Sequence, residues 1–132
     1  MPSTRYQKIN AHHYRHIWVV GDIHGEYQLL QSRLHQLSFF PEIDLLISVG
    51  DNIDRGPESL DVLRLLNQPW FTSVKGNHEA MALEAFETGD GNMWLASGGD
   101  WFFDLNDSEQ QEAIDLLLQF HQLPHIIAFT IY

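Results

Sequence analysis

Three short stretches hold side chains that can bind a metal ion and move protons: Gly21-Asp22-Ile23-His24-Gly25, Gly50-Asp51-Asn52-Ile53-Asp54-Arg55-Gly56 and Gly76-Asn77-His78-Glu79. Asp22, His24, Asp51 and Asn77 make a mixed nitrogen and oxygen donor set. Such a set suits Mn²⁺, Fe or Zn²⁺ better than a thiolate metal, and differs from the all-oxygen cages of Ca²⁺. Asp51 has two carboxylate oxygens and can bridge two cations. His78 directly follows Asn77, so a proton donor stands beside a ligand, and an imidazolium can protonate a departing alkoxide near neutral pH. Asp54 is the natural partner for that ring, holding it and favouring its charged form. Arg55 presents a planar fork that grips two phosphoryl oxygens, which Lys cannot do bidentately. The chemistry these types suit is hydrolysis of a phosphate monoester, with cations lowering the pKa of the attacking water.

Each stretch alone has a plainer reading. Gly21 to Gly25 could be a tight turn with a solvated Asp and a surface His, and Arg55 could pair with Asp54 beside it. The weight lies in the repetition, because each stretch follows an apolar run that ends in glycine. A parallel sheet flanked by helices has its ligand crevice at the carboxyl ends of its strands, so three such loops would converge. The runs Ile17–Val20, Leu45–Val49 and Phe71–Val74 read as those strands, the second buried on both faces. If strand geometry persists through the first turn, Asp22 and His24 point the same way.

Between the strands, Tyr27, Leu30, Leu34 and Leu37 form a helical stripe, and Pro57 can open a helix continued by Leu60, Leu63 and Leu66. Ala80–Phe86 is strongly helix-forming. Gly89–Asn92 predicts a turn, Met93–Gly99 one or two helical turns, and the Ser108/Gln111 spacing a capping box ahead of a helix that ends before Pro124. His125–Tyr132 predicts a strand. Trp94, Trp101, Phe102 and Phe103 are read as core, and Glu79, Glu84 and Glu87 as a solvated helix face. His12, His13, His16 and His35 are read as surface residues, and His121 and His125 as poor substitutes for metal ligands.

The 132 residues suit one core. With 18 acidic against 7 basic residues the formal charge is −11, which disfavours nucleic acid as a partner. A phosphate group can still be handled, since bound cations reverse the local field. There is no cysteine and no apolar run of the roughly 20 residues that span a bilayer, so a cytoplasmic protein without a membrane partner is expected.

The pattern GDxHG, GDxxDRG, GNHE from Gly21 to Glu79 resembles the signature of the calcineurin-like metallophosphoesterases, and within them the bacteriophage-lambda type of bacterial serine/threonine protein phosphatases. The resemblance implies an α/β fold, the N-terminal half of a β-sandwich flanked by helices with a largely parallel sheet. It implies two divalent ions, Mn²⁺ first with Zn²⁺ or Fe as alternatives, held by Asp22, His24, Asp51 as bridge, and Asn77. His78, Asp54 and Arg55 become the catalytic residues, with Arg55, Asn77 and His78 against a phosphorylated protein or peptide. The implied activity is a serine/threonine phosphatase, with phosphotyrosine a further substrate, in which a metal-bridging water attacks phosphorus in line. The family takes further ligands from histidines after later strands, and no such motif precedes Tyr132. An arm over residues 1–15 and an incomplete domain over 16–132 are therefore expected. The alternatives are a symmetrical diadenosine tetraphosphate hydrolase, for which no nucleotide pocket is legible, and a truncated inactive metal-binding remnant.

Overall fold

The computed structural model describes residues 6–123 and 126–130. Strands β2 (His16–Val20), β3 (Asp44–Ser48) and β4 (Phe71–Ser73) form a parallel sheet in the order β2-β3-β4. Strands β1 (Tyr6–Asn10) and β5 (Ile126–Thr130) form a second parallel pair. The reading of an arm is corrected for residues 6–10, since β1 pairs with a strand more than a hundred residues away and no local pattern announces such a pairing; residues 1–5 lie outside the described residues. His125 and Pro124 lie outside the described residues.

All of β3 is buried: Leu45–Ile47 follow from the apolar run, Asp44 and Ser48 are buried polar residues, and Val49, counted in the expected buried strand, lies past its end and is 53% exposed. Alternation along the strand sends Leu45 and Ile47 to one side, where they meet Ile9 of β1 and Ile127 of β5. Leu46 faces the other way, into a cluster with Leu30 and Leu34 of α1 (Tyr27–Gln36) and Val62 of α2 (Ser59–Leu63). The result is two sheets packed face to face, with helices over the outer face of the larger one. A third apolar cluster joins α2 to α3 (Asn77–Thr88), α4 (Asn92–Ala96) and α5 (Asp107–Leu118), with Trp94, Phe102, Leu117 and Phe120 at its centre. Phe103 departs from the expected core set and is 56% exposed. The capping box of α5 is also shifted: Asn106 accepts from the Glu109 N–H while Glu109 accepts from the Asn106 N–H, at 2.8 and 3.1 Å, so Ser108 and Gln111 are not the pair.

Asp44 secures the start of the central strand. Its buried carboxylate receives both Nε and Nη2 of Arg15 at 3.1 and 2.7 Å, and the backbone N–H groups of His16 and Phe40 at 3.1 and 2.8 Å. Arg15 also lies 4.8 Å over the Phe40 ring. The hydrogen bond from Arg15 is the main cause that holds the Asp44 carboxyl below the usual carboxylate range. A carboxyl lowered in the folded state contributes stability that is present above its unfolded pKa and is lost as pH falls through its folded value. Urea unfolding should therefore show stability declining with acidification below about pH 4 less steeply in Asp44→Asn than in the native chain. At neutral pH the same variant should lose about 1–3 kcal/mol, because donors are left without their charged acceptor.

Candidate active site and metal centre

The loops after β2, β3 and β4 leave the same edge of one parallel sheet, so the three motifs meet at one place. The backbone there is unusual. Asp22, His24, Asp51, Asp54 and Arg55 all have positive φ, between 44° and 77°, and the other non-glycine residue to do so among the described residues is Ser38. Side chains seldom take this conformation, and each such residue costs of order 1–3 kcal/mol unless the surroundings enforce it. Asp22 and His24 therefore do not converge by continued strand geometry, as the sequence suggested. They are turned inward by left-handed kinks.

Backbone hydrogen bonds lock the first two loops together, with the N–H of His24 donating to the Asp51 carbonyl at 3.1 Å and that of Gly25 to the Asn52 carbonyl at 2.8 Å. The second and third loops touch at Gly50 and Gly76, so closely that a Cβ on Gly50, which has φ +98°, would collide with the Gly76 backbone. The buried carboxylate of Glu79 completes the joint. It accepts from the N–H groups of Asp51, Asn52 and Gly76 at 2.8, 2.7 and 2.8 Å. Glu79 is 0% exposed, so the expected solvated face is wrong at this residue, although Glu84 and Glu87 do face solvent. Burial pushes the Glu79 carboxyl up from its ordinary range, with the three donors pulling it down. Asn52, another residue the sequence reading passed over, is buried with Ser48 and Ser73 in a hydrogen-bonded row that ties β3 to β4.

Asp22, His24 and Asp51 each direct a donor atom to one spot, all within 4.8 Å of one another, the one such acidic and histidine group among the described residues. The His24 ring is oriented by a 2.9 Å hydrogen bond between Nδ1 and the Ile53 carbonyl, which leaves Nε2 free. Two carboxylates and an imidazole presented in this way fit a divalent cation of the Mn²⁺, Fe or Zn²⁺ type. Asn77, exposed, opens α3 at the rim of the site. His121 is elsewhere, 3.6 Å from Glu87 at the surface.

His78 and Asp54 form a buried pair, Nδ1 to Oδ2 at 2.8 Å, and the His78 N–H donates to Asp51 at 3.0 Å. The His78 ring lies edge-on to His24, with centroids 4.7 Å apart, so the dyad borders the donor cluster. Asp54 is fully buried and accepts from two indole N–H groups as well, Trp94 at 3.0 Å and Trp101 at 2.7 Å. Arg55 is exposed, and no carboxylate among the described residues pairs with it, which removes the plain alternative of an ion pair with Asp54. Beside it runs an open groove of about 490 Å³, whose lining includes Glu58, Asp61, Asp100, Asp104 and Glu109.

Fold, loops and donor set define a family. The calcineurin-like phosphoesterase model matches residues 15–128, and the chain belongs to that family, which is hydrolytic and binds divalent metals. Among individual proteins, the chain is 96% identical over 130 residues to serine/threonine-protein phosphatase 2 of Escherichia coli K12, covering 98% of this chain and 60% of that one. It is 64% identical over 127 residues to serine/threonine-protein phosphatase 2 of Salmonella typhimurium LT2, covering 96% of this chain and 58% of that one. The chain thus spans about three-fifths of these relatives. A crystal structure provisionally identified as a diadenosine tetraphosphatase superposes with a TM-score of 0.69 at 30% identity, covering 96% of this chain and 50% of that one.

Glu79→Gln tests the joint. An amide places N–H groups against backbone donors that need an acceptor, so loops and ligands should loosen. Calorimetric titration with Mn²⁺ should show affinity reduced by about 10–100-fold, and unchanged affinity would mean that the loops are held by other contacts.

Proposed function

We propose that the site hydrolyses phosphomonoesters, with phosphoserine and phosphothreonine in proteins as its substrates and phosphotyrosine as a further one. The observation that carries this reading is the Asp54–His78 pair, buried and ordered, at the border of the three-donor cluster. A general acid beside a cation site and an unpaired guanidinium is what cleavage of a phosphate from a poor leaving group requires.

Asp22, His24 and Asp51 would hold one divalent ion, and Asp51 with Asn77 would hold a second, with Mn²⁺ as the first choice. When bound, such ions lower the pKa of the attacking water and neutralise phosphoryl charge. The remaining work falls to side chains of this chain. Arg55 is fixed at its backbone by a 3.1 Å hydrogen bond from its N–H to the Gly98 carbonyl, and its free guanidinium takes two phosphoryl oxygens. His78 has Nδ1 committed to Asp54, so Nε2 is the atom that protonates the leaving oxygen as the P–O bond breaks. Water attacks in line from the opposite side, and no phosphoenzyme forms.

The structural likeness to a diadenosine tetraphosphatase favours a second reading, hydrolysis of a dinucleoside tetraphosphate. The groove beside Arg55 argues against it, because Glu58, Asp61, Asp100, Asp104 and Glu109 outnumber Arg55 and Arg64 on its lining, an excess of negative charge that repels a polyanion. Measuring kcat/KM on a phosphoserine peptide and on diadenosine tetraphosphate separates the two, and preference for the peptide is expected.

His78→Asn should lower kcat on the phosphoserine peptide by about 10²–10⁴, with a smaller loss on an aryl phosphate, whose leaving group departs with little help. Equal losses would give His78 a binding or structural role. Asp51→Asn keeps the shape but removes the charge between two cations, so it should suppress metal-dependent turnover more completely than Asp22→Asn. Full activity of Asp51→Asn at saturating Mn²⁺ would remove the bridging role.

A further inference from the structure

Two of the three N–H donors to the Asp54 carboxylate are tryptophans that the chemistry above does not use. We infer that Trp94 and Trp101 are positioning residues for the general acid, acting through Asp54, and that the segment from α4 through the 3₁₀ turn Gly99–Asp104 is built to carry them. The inference rests on the reading of His78 as a proton donor.

The geometry divides the carboxylate between its partners. Trp101 Nε1 donates to Oδ1 at 2.7 Å, His78 Nδ1 meets Oδ2 at 2.8 Å, and Trp94 Nε1 sits 3.0 Å from both oxygens. Asp54 is entirely buried, Trp94 and Trp101 nearly so. A buried carboxylate is costly unless its oxygens find donors, and a lone histidine satisfies one oxygen only. The indoles supply the rest, and because they are neutral they hold the carboxylate without competing for its charge. They also fix its plane, and so the direction in which the His78 ring is pulled.

The tryptophans are themselves pinned. Trp94 and Trp101 pack edge to face with centroids 6.1 Å apart, and Phe86 and Phe102 close around Trp94 at 5.4 and 5.6 Å. Gly99 lies against the Trp94 ring so closely that a Cβ there would collide with it. The same segment reaches Arg55 through the Gly98 carbonyl. One aromatic block thereby sets both the orienting carboxylate and the phosphoryl-gripping arginine.

Trp101 is the better probe, because Trp94 is central to the core. Replacing the Trp101 indole by benzothiophene, which has sulfur in place of N–H, removes the donor while keeping the bicyclic aromatic shape. Trp101→Phe is the genetic counterpart, and thermal unfolding of both reports that the fold is retained. On a phosphoserine peptide, kcat should fall about tenfold or more with KM nearly constant, while kcat on an aryl phosphate changes less than threefold. Independently of turnover, the Nδ1–H proton resonance of His78 should move or broaden in the variant. Equal losses on both substrates, a change confined to KM, or an unaltered resonance and unaltered kcat would each overturn the inference. If His78→Asn itself shows no leaving-group dependence, the reading of His78 as the acid fails instead, and the resonance alone then decides whether the indole orients the pair.

Discussion

A single buried carboxylate holds the site in register. Glu79 receives N–H groups from Asp51 and Asn52 in one loop and from Gly76 in the next, and it does so from the first turn of α3. The left-handed residues that aim Asp51, Asp54 and Arg55 into the crevice are locally unfavourable, so something must enforce them. Three charge-assisted hydrogen bonds in a dry setting are strong enough to do so. Burial raises the cost of charging Glu79, and the donors repay it only while both loops remain in place. Ligand placement and loop packing are therefore one cooperative feature.

Around that joint the site falls into halves. The sheet side offers Asp22, His24 and Asp51, with the His24 ring set by a backbone carbonyl. The helical side offers His78, Asp54 and Arg55, with the dyad set by an aromatic block and the arginine by the turn beside it. His78 belongs to both, since its backbone N–H is bound to Asp51 and its ring to Asp54. A change at Asp51 thus reaches His78 as well as the donor cluster.

What the sequence made legible was whatever repeats at short range. The three strand-glycine-polar units, the buried run at β3 and the helical stripe of α1 each announce themselves within a dozen residues, and the structure has them in place except at their ends, where Val49 and Leu37 lie outside the elements and are exposed. What stayed hidden depends on distant partners. Glu79 at the third position of a helix looks like an ordinary solvated acid, and only the approach of Gly50 to Gly76 buries it. Trp94 and Trp101 read as core, and they are, but their N–H groups find Asp54 some forty residues earlier. The strand at Tyr6–Asn10 is polar enough to pass for a loop until β5 pairs with it. The signal that could have found Asp54's partners was the coincidence of two tryptophans with one buried acid, since a buried indole N–H needs an acceptor.

On the reading proposed above, the chain's three loops make one cation and phosphate site. Crystals soaked with Mn²⁺ and tungstate, read by anomalous scattering, test it most directly. A manganese peak is expected among Asp22, His24 and Asp51, and a tungstate peak between Arg55 and the Nε2 face of His78. Manganese bound at exposed histidines such as His12 and His13, with the three-loop crevice empty and tungstate away from Arg55, would contradict it.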